Sequence, residues 1–225
     1  MINLRLLKIF QPYSCNDIIR LGKDYDGGYL VNKQDVLESK QLINLGVGGD
    51  CSFENSFTEI NDCSVFSFDG SIDANQEFIK KYHVDNKRFI NKNVGNKINE
   101  VAFSSILTKT NSFLKCDIEG GEYDILDDII KNSKLLKGMV IEFHNVSNQE
   151  HFNDLLNFIG KVHLKLIHIH VNNYFYYITD TGCVPDVVEL SFSASDNVIY
   201  DKNIQLPHAL DMPNCPDREE FKILF

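Results

Sequence analysis

Apolar and polar positions along the chain fall into short hydrophobic runs separated by amphipathic stretches. LINLGVGG, opening at Leu42, is an apolar run with three glycines at its exit, the pattern of a buried strand feeding a tight loop. SFENSFTEI follows, and its Phe53, Phe57 and Ile60, spaced by four and three, share one face of a helix. SVFSFDGS reads as a second short strand ending on Asp69. ANQEFIKKYHV predicts a helix and KRFINKNVG a third strand, whereas KINEVAFSSILTKT fits either a helix or an irregular connector. A fourth strand over 113–118 is broken by Gly120 and Gly121, and YDILDDIIKN then places Ile125, Ile129 and Ile130 on an apolar helix face. KGMVIEFHNV is a fifth strand, EHFNDLLNFIG a helix and HLKLIHIHVNN a sixth strand; VPDVVELSFSAS has the pattern of a closing hairpin strand, before a proline-bearing tail. Ahead of this series, 1–41 is an approach segment. In it, Asp26, Gly27 and Gly28 signal a turn, and a hairpin there is expected to lid one edge of the sheet.

Strands alternating with helices predict an α/β protein with a mostly parallel sheet. In such sheets ligands bind at the carboxyl ends of the strands. Three features gather there. Gly46, Gly48 and Gly49 let backbone approach a ligand closely, and Asp69 at the end of the second strand is suited to both hydroxyls of a ribose. Asp117 and Glu119 sit at the end of the fourth strand, where folding does not require carboxylates. On the sixth strand a period of two aligns His168, His170 and Asn172, and burial of such groups without partners would be costly, which points to a wet pocket or a polar network. A hydride-transferring dinucleotide enzyme loses support because Cys51 stands where the fingerprint needs its third glycine.

Composition narrows the classes. The 225 residues, 43% hydrophobic, fit one domain spanning 1–225 with a substantial core. A net charge of -10 gives no counterion-release gain on phosphate backbones and argues against nucleic acid as the substrate. Six scattered cysteines without a CxxC pair suggest free thiols in a reducing compartment. The apolar run at the amino terminus is short and interrupted by Arg5 and Lys8, and no segment reaches membrane-spanning length, so a cytoplasmic protein without membrane insertion is expected.

DIEGGE, from Asp117 to Glu122, resembles the DxEGxE signature of FkbM-type methyltransferases, with Leu114 and Lys115 in pattern ahead of it. RLGKDYDGGYLV, from Arg20, is similar to the segment preceding their cofactor loop, and Asn172, Asn173 and Glu189 fit their closing pattern. Asn44 departs from the usual class I pattern, in which an acid precedes the first glycine by two. The resemblance implies a Rossmann-like class I fold with a seven-stranded, mostly parallel sheet and an antiparallel last strand. It further implies S-adenosylmethionine as cofactor and O-methylation of a small polar acceptor, such as a sugar or a nucleotide-linked polysaccharide precursor. Methylation of nitrogen or of a phosphate-derived group is an alternative, as is a non-catalytic binding module. Gly46, Gly48, Asp50, Asp69 and Gly70 are the cofactor-binding candidates; Arg20, Asp26, Tyr29, His168, His170 and Asn172 are candidates for the acceptor. Catalysis falls to Asp117 or His144 as base, with Glu119 orienting the acceptor or holding the cofactor's amino group. Asp117, Glu142, His144, His168 and His170 are also metal-ligand types, but no spacing fixes a set and no metal is assigned.

Overall fold

The computed structural model describes residues 2–73, 87–180 and 182–225. The helix expected over 74–84 lies outside them. The chain enters through β1 (Ile2–Arg5), the short β2 (Tyr13–Ser14) and a hairpin of β3 (Ile18–Gly22) and β4 (Gly28–Asn32). β5 (Gln41–Leu45), β6 (Ser64–Phe68), β7 (Lys87–Ile90), β8 (Ser112–Cys116), β9 (Leu136–Phe143) and β10 (Lys165–Val171) follow. A small hairpin of β11 (Tyr176–Thr179) and β12 (Gly182–Pro185) precedes β13 (Val188–Ser193). β14 (Ile199–Tyr200) and β15 (Phe221–Leu224) close the chain, with β14 on β2 and β15 parallel to β1.

Seven strands form the main sheet in the order β10-β13-β9-β8-β5-β6-β7. Only β13 runs against the others, inserted between β9 and β10. β5 and β8 are buried along their whole length, as parallel strands covered on both faces are. Alternation sends neighbouring residues to opposite layers: Leu42, Phe113 and Val140 join one core cluster, Ile43, Leu114 and Ile141 the other. Phe53 and Phe57 of the helix Ser52–Ile60 pack on the first layer, as their spacing predicts. Ile129 of the helix Leu126–Asn132 and Phe158 of the helix Gln149–Lys161 pack on the second.

Three local expectations are corrected. The β3–β4 hairpin lies over a sheet face rather than an edge, because Leu21, Tyr29 and Val31 supply apolar partners for Phe53, Phe57 and Phe113. Ser191 Oγ donates to the Leu30 carbonyl, tying β4 to β13. β8 ends at Cys116, two residues early, and the helix after it opens with a tighter turn over Glu122–Ile125. The ambiguous connector holds one short helix, Phe103–Ile106.

Asp35, in the helix Lys33–Glu38, is buried under β9 and its Oδ2 has no hydrogen-bond partner among the described residues. Burial pushes its carboxyl up to about 7, against the bond from Ser193 and the charge of Lys137. A raised acid pKa means that the folded state holds a proton that the unfolded chain releases, so stability falls as pH rises from about 4 to about 7. Asp35→Asn is expected to flatten that fall. In urea titrations its stability relative to the wild type should improve by roughly 2–4 kcal/mol between pH 4 and pH 8; parallel curves would refute the assignment.

Candidate active site

The carboxyl ends of β5, β6, β8 and β9 open into a cavity of about 880 Å³. Its floor is set by one close approach. Gly46 has φ +81°, and a Cβ there would lie 1.6 Å from the carbonyl oxygen of Asp117. Only glycine lets the first loop leave β5 against the end of β8. Gly48 and Gly49 face open space, so their backbone is accessible to a ligand. Lys115 binds the same junction from below, its Nζ 2.7 Å from the Gly46 carbonyl and 3.3 Å from Asp117 Oδ2.

Asp69 clamps the glycine loop. Its Oδ2 accepts the amide protons of Val47 at 3.0 Å and Gly48 at 2.9 Å; its Oδ1 accepts from the Ser71 amide and hydroxyl. Burial works against the ionised form, but these donors hold the carboxyl below its usual range. Asp50 lines the cavity and caps the following helix, accepting from the Ser52 amide at 2.9 Å and pairing with Lys23 at 3.3 Å. Where the class I pattern has an acid, Asn44 donates its amide to Glu54, a fully buried carboxylate from the next helix. A carboxylate is thus restored by the helix rather than by the strand.

Over β8 and β9 the acids converge. The Tyr29 hydroxyl lies 2.9 Å from Glu142 Oε2 and 3.1 Å from Asp117 Oδ2, and its one proton serves one of them at a time. Burial, with the charges of Asp117 and Glu189, pushes Glu142 up to about 8, so near neutrality it carries a proton of its own. Asn172 donates to the other Glu142 oxygen at 3.0 Å. His144 Nε2 is 3.5 Å from Glu119 Oε2 and 3.9 Å from Asp117 Oδ1, while Nδ1 is 3.1 Å from Glu122 Oε1. Burial disfavours the charged imidazole, yet the bond to Glu122 and the surrounding carboxylates outweigh it and raise His144 to about 9. A histidine so held is a poor base at neutral pH.

Of the residues singled out from the sequence, the structure brings Gly46, Gly48, Asp50, Asp69, Asp26, Tyr29, Asp117, Glu119, His144 and Asn172 to this cavity. Four others do not line it. Arg20 donates to the carbonyls of Lys23 and Tyr25 and pins the hairpin turn. The Gly70 amide is spent on Asn93 Oδ1 at 2.9 Å. His168 is buried on Asp211 at 2.9 Å, and His170 between Glu189 at 3.3 Å and Glu220 at 3.2 Å. These histidines belong to the polar network that their spacing allowed, and their partners come largely from the tail. Glu54 and Lys115 carry no spacing signal of their own; an acid in the first turn of a helix is the only hint at Glu54.

Strand order, the single antiparallel insertion, the glycine cradle and the acid at the end of the second strand define a class I, S-adenosylmethionine-type methyltransferase fold. A family model for the methyltransferase FkbM domain matches residues 22–174, and the chain belongs to that family. Among solved structures it is similar to a precorrin-6y C5,15-methyltransferase from Geobacter metallireducens, at TM-score 0.43 and 13% identity over 72% of this chain and 85% of that one. It is also similar to an rRNA methylase from Streptococcus thermophilus, at TM-score 0.42 and 9% identity over 72% and 92%. A human methyltransferase 10 domain containing protein gives TM-score 0.41 and 11% identity over 70% and 73%. No curated protein matches the chain. Among the described residues no helix is long and apolar enough to cross a membrane.

Gly46→Ala and Gly49→Ala separate the cradle from the open part of the loop. The first should cost at least about 2 kcal/mol, since strain and a backbone clash coincide; the second should stay within about 0.5 kcal/mol. Equal effects in thermal unfolding would contradict the close approach.

Proposed function

We propose that this enzyme O-methylates a small, uncharged polar acceptor, a sugar or sugar-like polyol, bound beside Asp117. S-adenosylmethionine, when bound, supplies a methyl group already activated on a sulfonium sulfur. The cavity residues fit that cofactor: the loop offers open backbone at Gly48 and Gly49, and the lining holds eight acids besides the protonated Glu142 against three lysines, an environment suited to a cation. Asp69 keeps the loop in shape, and a ribose hydroxyl would take the place of the Ser71 hydroxyl on its Oδ1. Asp50 is the cofactor-side acid and Asp26 the acceptor-side acid of the same lining.

The observation that carries the acceptor reading is the pairing of every lysine in the lining. Lys23 is held by Asp50, Lys97 by Asp124 at 2.7 Å and Lys115 by Asp117. A diphosphate-linked acceptor would have to displace these partners, whereas a neutral hydroxyl would not. Excess negative charge likewise disfavours a nucleic-acid strand. Asp117 accepts the hydroxyl proton as oxygen attacks carbon. Its Oδ2 is committed to Tyr29 and Lys115, which leaves Oδ1 for the acceptor.

Two substitutions test these roles. Asp69→Ala should weaken S-adenosylhomocysteine binding at least thirtyfold by calorimetry, and unchanged affinity would remove Asp69 from the cofactor site. Asp117→Asn should bind S-adenosylhomocysteine within threefold of wild type while labelled-methyl transfer to neutral sugars falls by about 10²–10⁴. A fully active variant, or transfer only to phosphorylated acceptors, would overturn the reading.

A further inference from the structure

We infer that Asp117, Glu119 and His144 form a site for one divalent cation, resting on the acceptor reading above and deepening it. The three residues come from the end of β8, the loop after it and the residue following β9. One ligand atom of each lies within 4.8 Å of the others, and no ion is present. The separations of 3.5 and 3.9 Å from His144 Nε2 suit a common ion. Metal–ligand bonds of about 2.1 Å place ligand atoms roughly 3.0–4.2 Å apart.

The second observation lies behind the histidine. Glu122 is fully buried, and its Oε1, which also accepts the Ile118 amide at 3.0 Å, faces His144 Nδ1. A carboxylate there accepts a hydrogen bond from Nδ1–H, which keeps the proton on Nδ1 and leaves the lone pair of Nε2, the ligating nitrogen, facing the cavity. This buried support is the arrangement by which metal-binding histidines are oriented, and a solvated surface histidine has no need of it. Glu122 Oε2 is itself buried without a hydrogen-bond partner among the described residues. Glu119, by contrast, has an 87% exposed side chain and makes no other ion pair among the described residues, so it is free to complete the set.

Two carboxylates and one imidazole, with the remaining positions open to the cavity, suit a hard or borderline ion of the Mg²⁺ or Mn²⁺ kind. Placed beside the acceptor, it would bind a hydroxyl oxygen and lower its pKa; with Asp117 Oδ1 on the ion, the proton passes to water rather than to Asp117. The oxygen–methyl bond then forms as the carbon–sulfur bond breaks, with the electron pair passing to sulfur. Vicinal diols, which present two oxygens to one ion, become the favoured acceptors. No metal was assigned from the sequence because the ligands stand at 117, 119 and 144 and share no short spacing with a second histidine.

The test uses the full chain, stripped with chelator and titrated with Mn²⁺ while free ion is followed by electron paramagnetic resonance. One ion per chain should bind, and Glu119→Gln and Asp117→Asn should each weaken it at least tenfold, with thermal unfolding of Glu119→Gln unchanged. Asp35→Asn, distant from the site, should bind Mn²⁺ as the wild type does. Absence of stoichiometric binding, or wild-type affinity in Glu119→Gln, would overturn the site. Metal-free S-adenosylhomocysteine titration reports separately on the methyltransferase reading, because its failure would leave Mn²⁺ binding intact.

Discussion

The buried ammonium of Lys115 holds the two halves of the site together. It joins the carbonyl of Gly46, where the cofactor loop leaves β5, to the carboxylate of Asp117, where β8 ends. Burial alone would drive such a lysine toward its neutral form, but the charges of Asp117 and Glu54 outweigh that cost and keep it ionised more firmly than usual. With Lys115 in place, the absence of a Cβ at Gly46 becomes a positional constraint rather than a source of freedom. The glycine loop after β5 and the acid at the end of β8 are fixed in one register. Any shift of β5 against β8 would move both.

Beneath this junction the site rests on a ladder of polar groups that crosses the sheet. Glu142 on β9, Glu189 on β13 and His170 on β10 are direct neighbours by strand register. Asn214 extends the ladder to the hairpin, donating to Glu189 at 2.8 Å and to Asp26 at 3.1 Å. His170, although buried, is driven well toward its charged form by Glu189 and Glu220. Two carboxylates side by side inside a protein are tolerable only with this kind of compensation. The tail therefore has a structural purpose: it brings Asp211, Glu220 and Asn214 to the buried His168, His170 and Glu189.

Elements with strong local signals were legible in the sequence. The helix Ser52–Ile60 matches its predicted span because Phe53 and Phe57 mark its buried face without interruption. Gly46, Asp69 and Asp117 were legible as cavity-lining residues because they stand at the ends of parallel strands. His168 and His170 were misplaced for a physical reason: strand alternation gives a shared face, but not whether that face meets a cavity or another part of the chain. Their partners Asp211 and Glu220 lie 43 and 50 residues away, beyond any local pattern. Arg20 was misread in the same way, since a guanidinium near glycines suits an anion as well as it suits the carbonyls of its own turn. Glu54 escaped because a helix-terminal acid is ordinarily a capping group; Glu122 was quoted as part of the DIEGGE string, but only the packed structure shows it turned inward beneath His144.

The central claim is that the cavity above β5, β6 and β8 is built for S-adenosylmethionine. Calorimetric titration of the purified chain with S-adenosylhomocysteine, with NAD as control, tests it most directly. The account predicts micromolar, one-to-one binding of S-adenosylhomocysteine and none of NAD. Binding of NAD alone, or of neither, would contradict it.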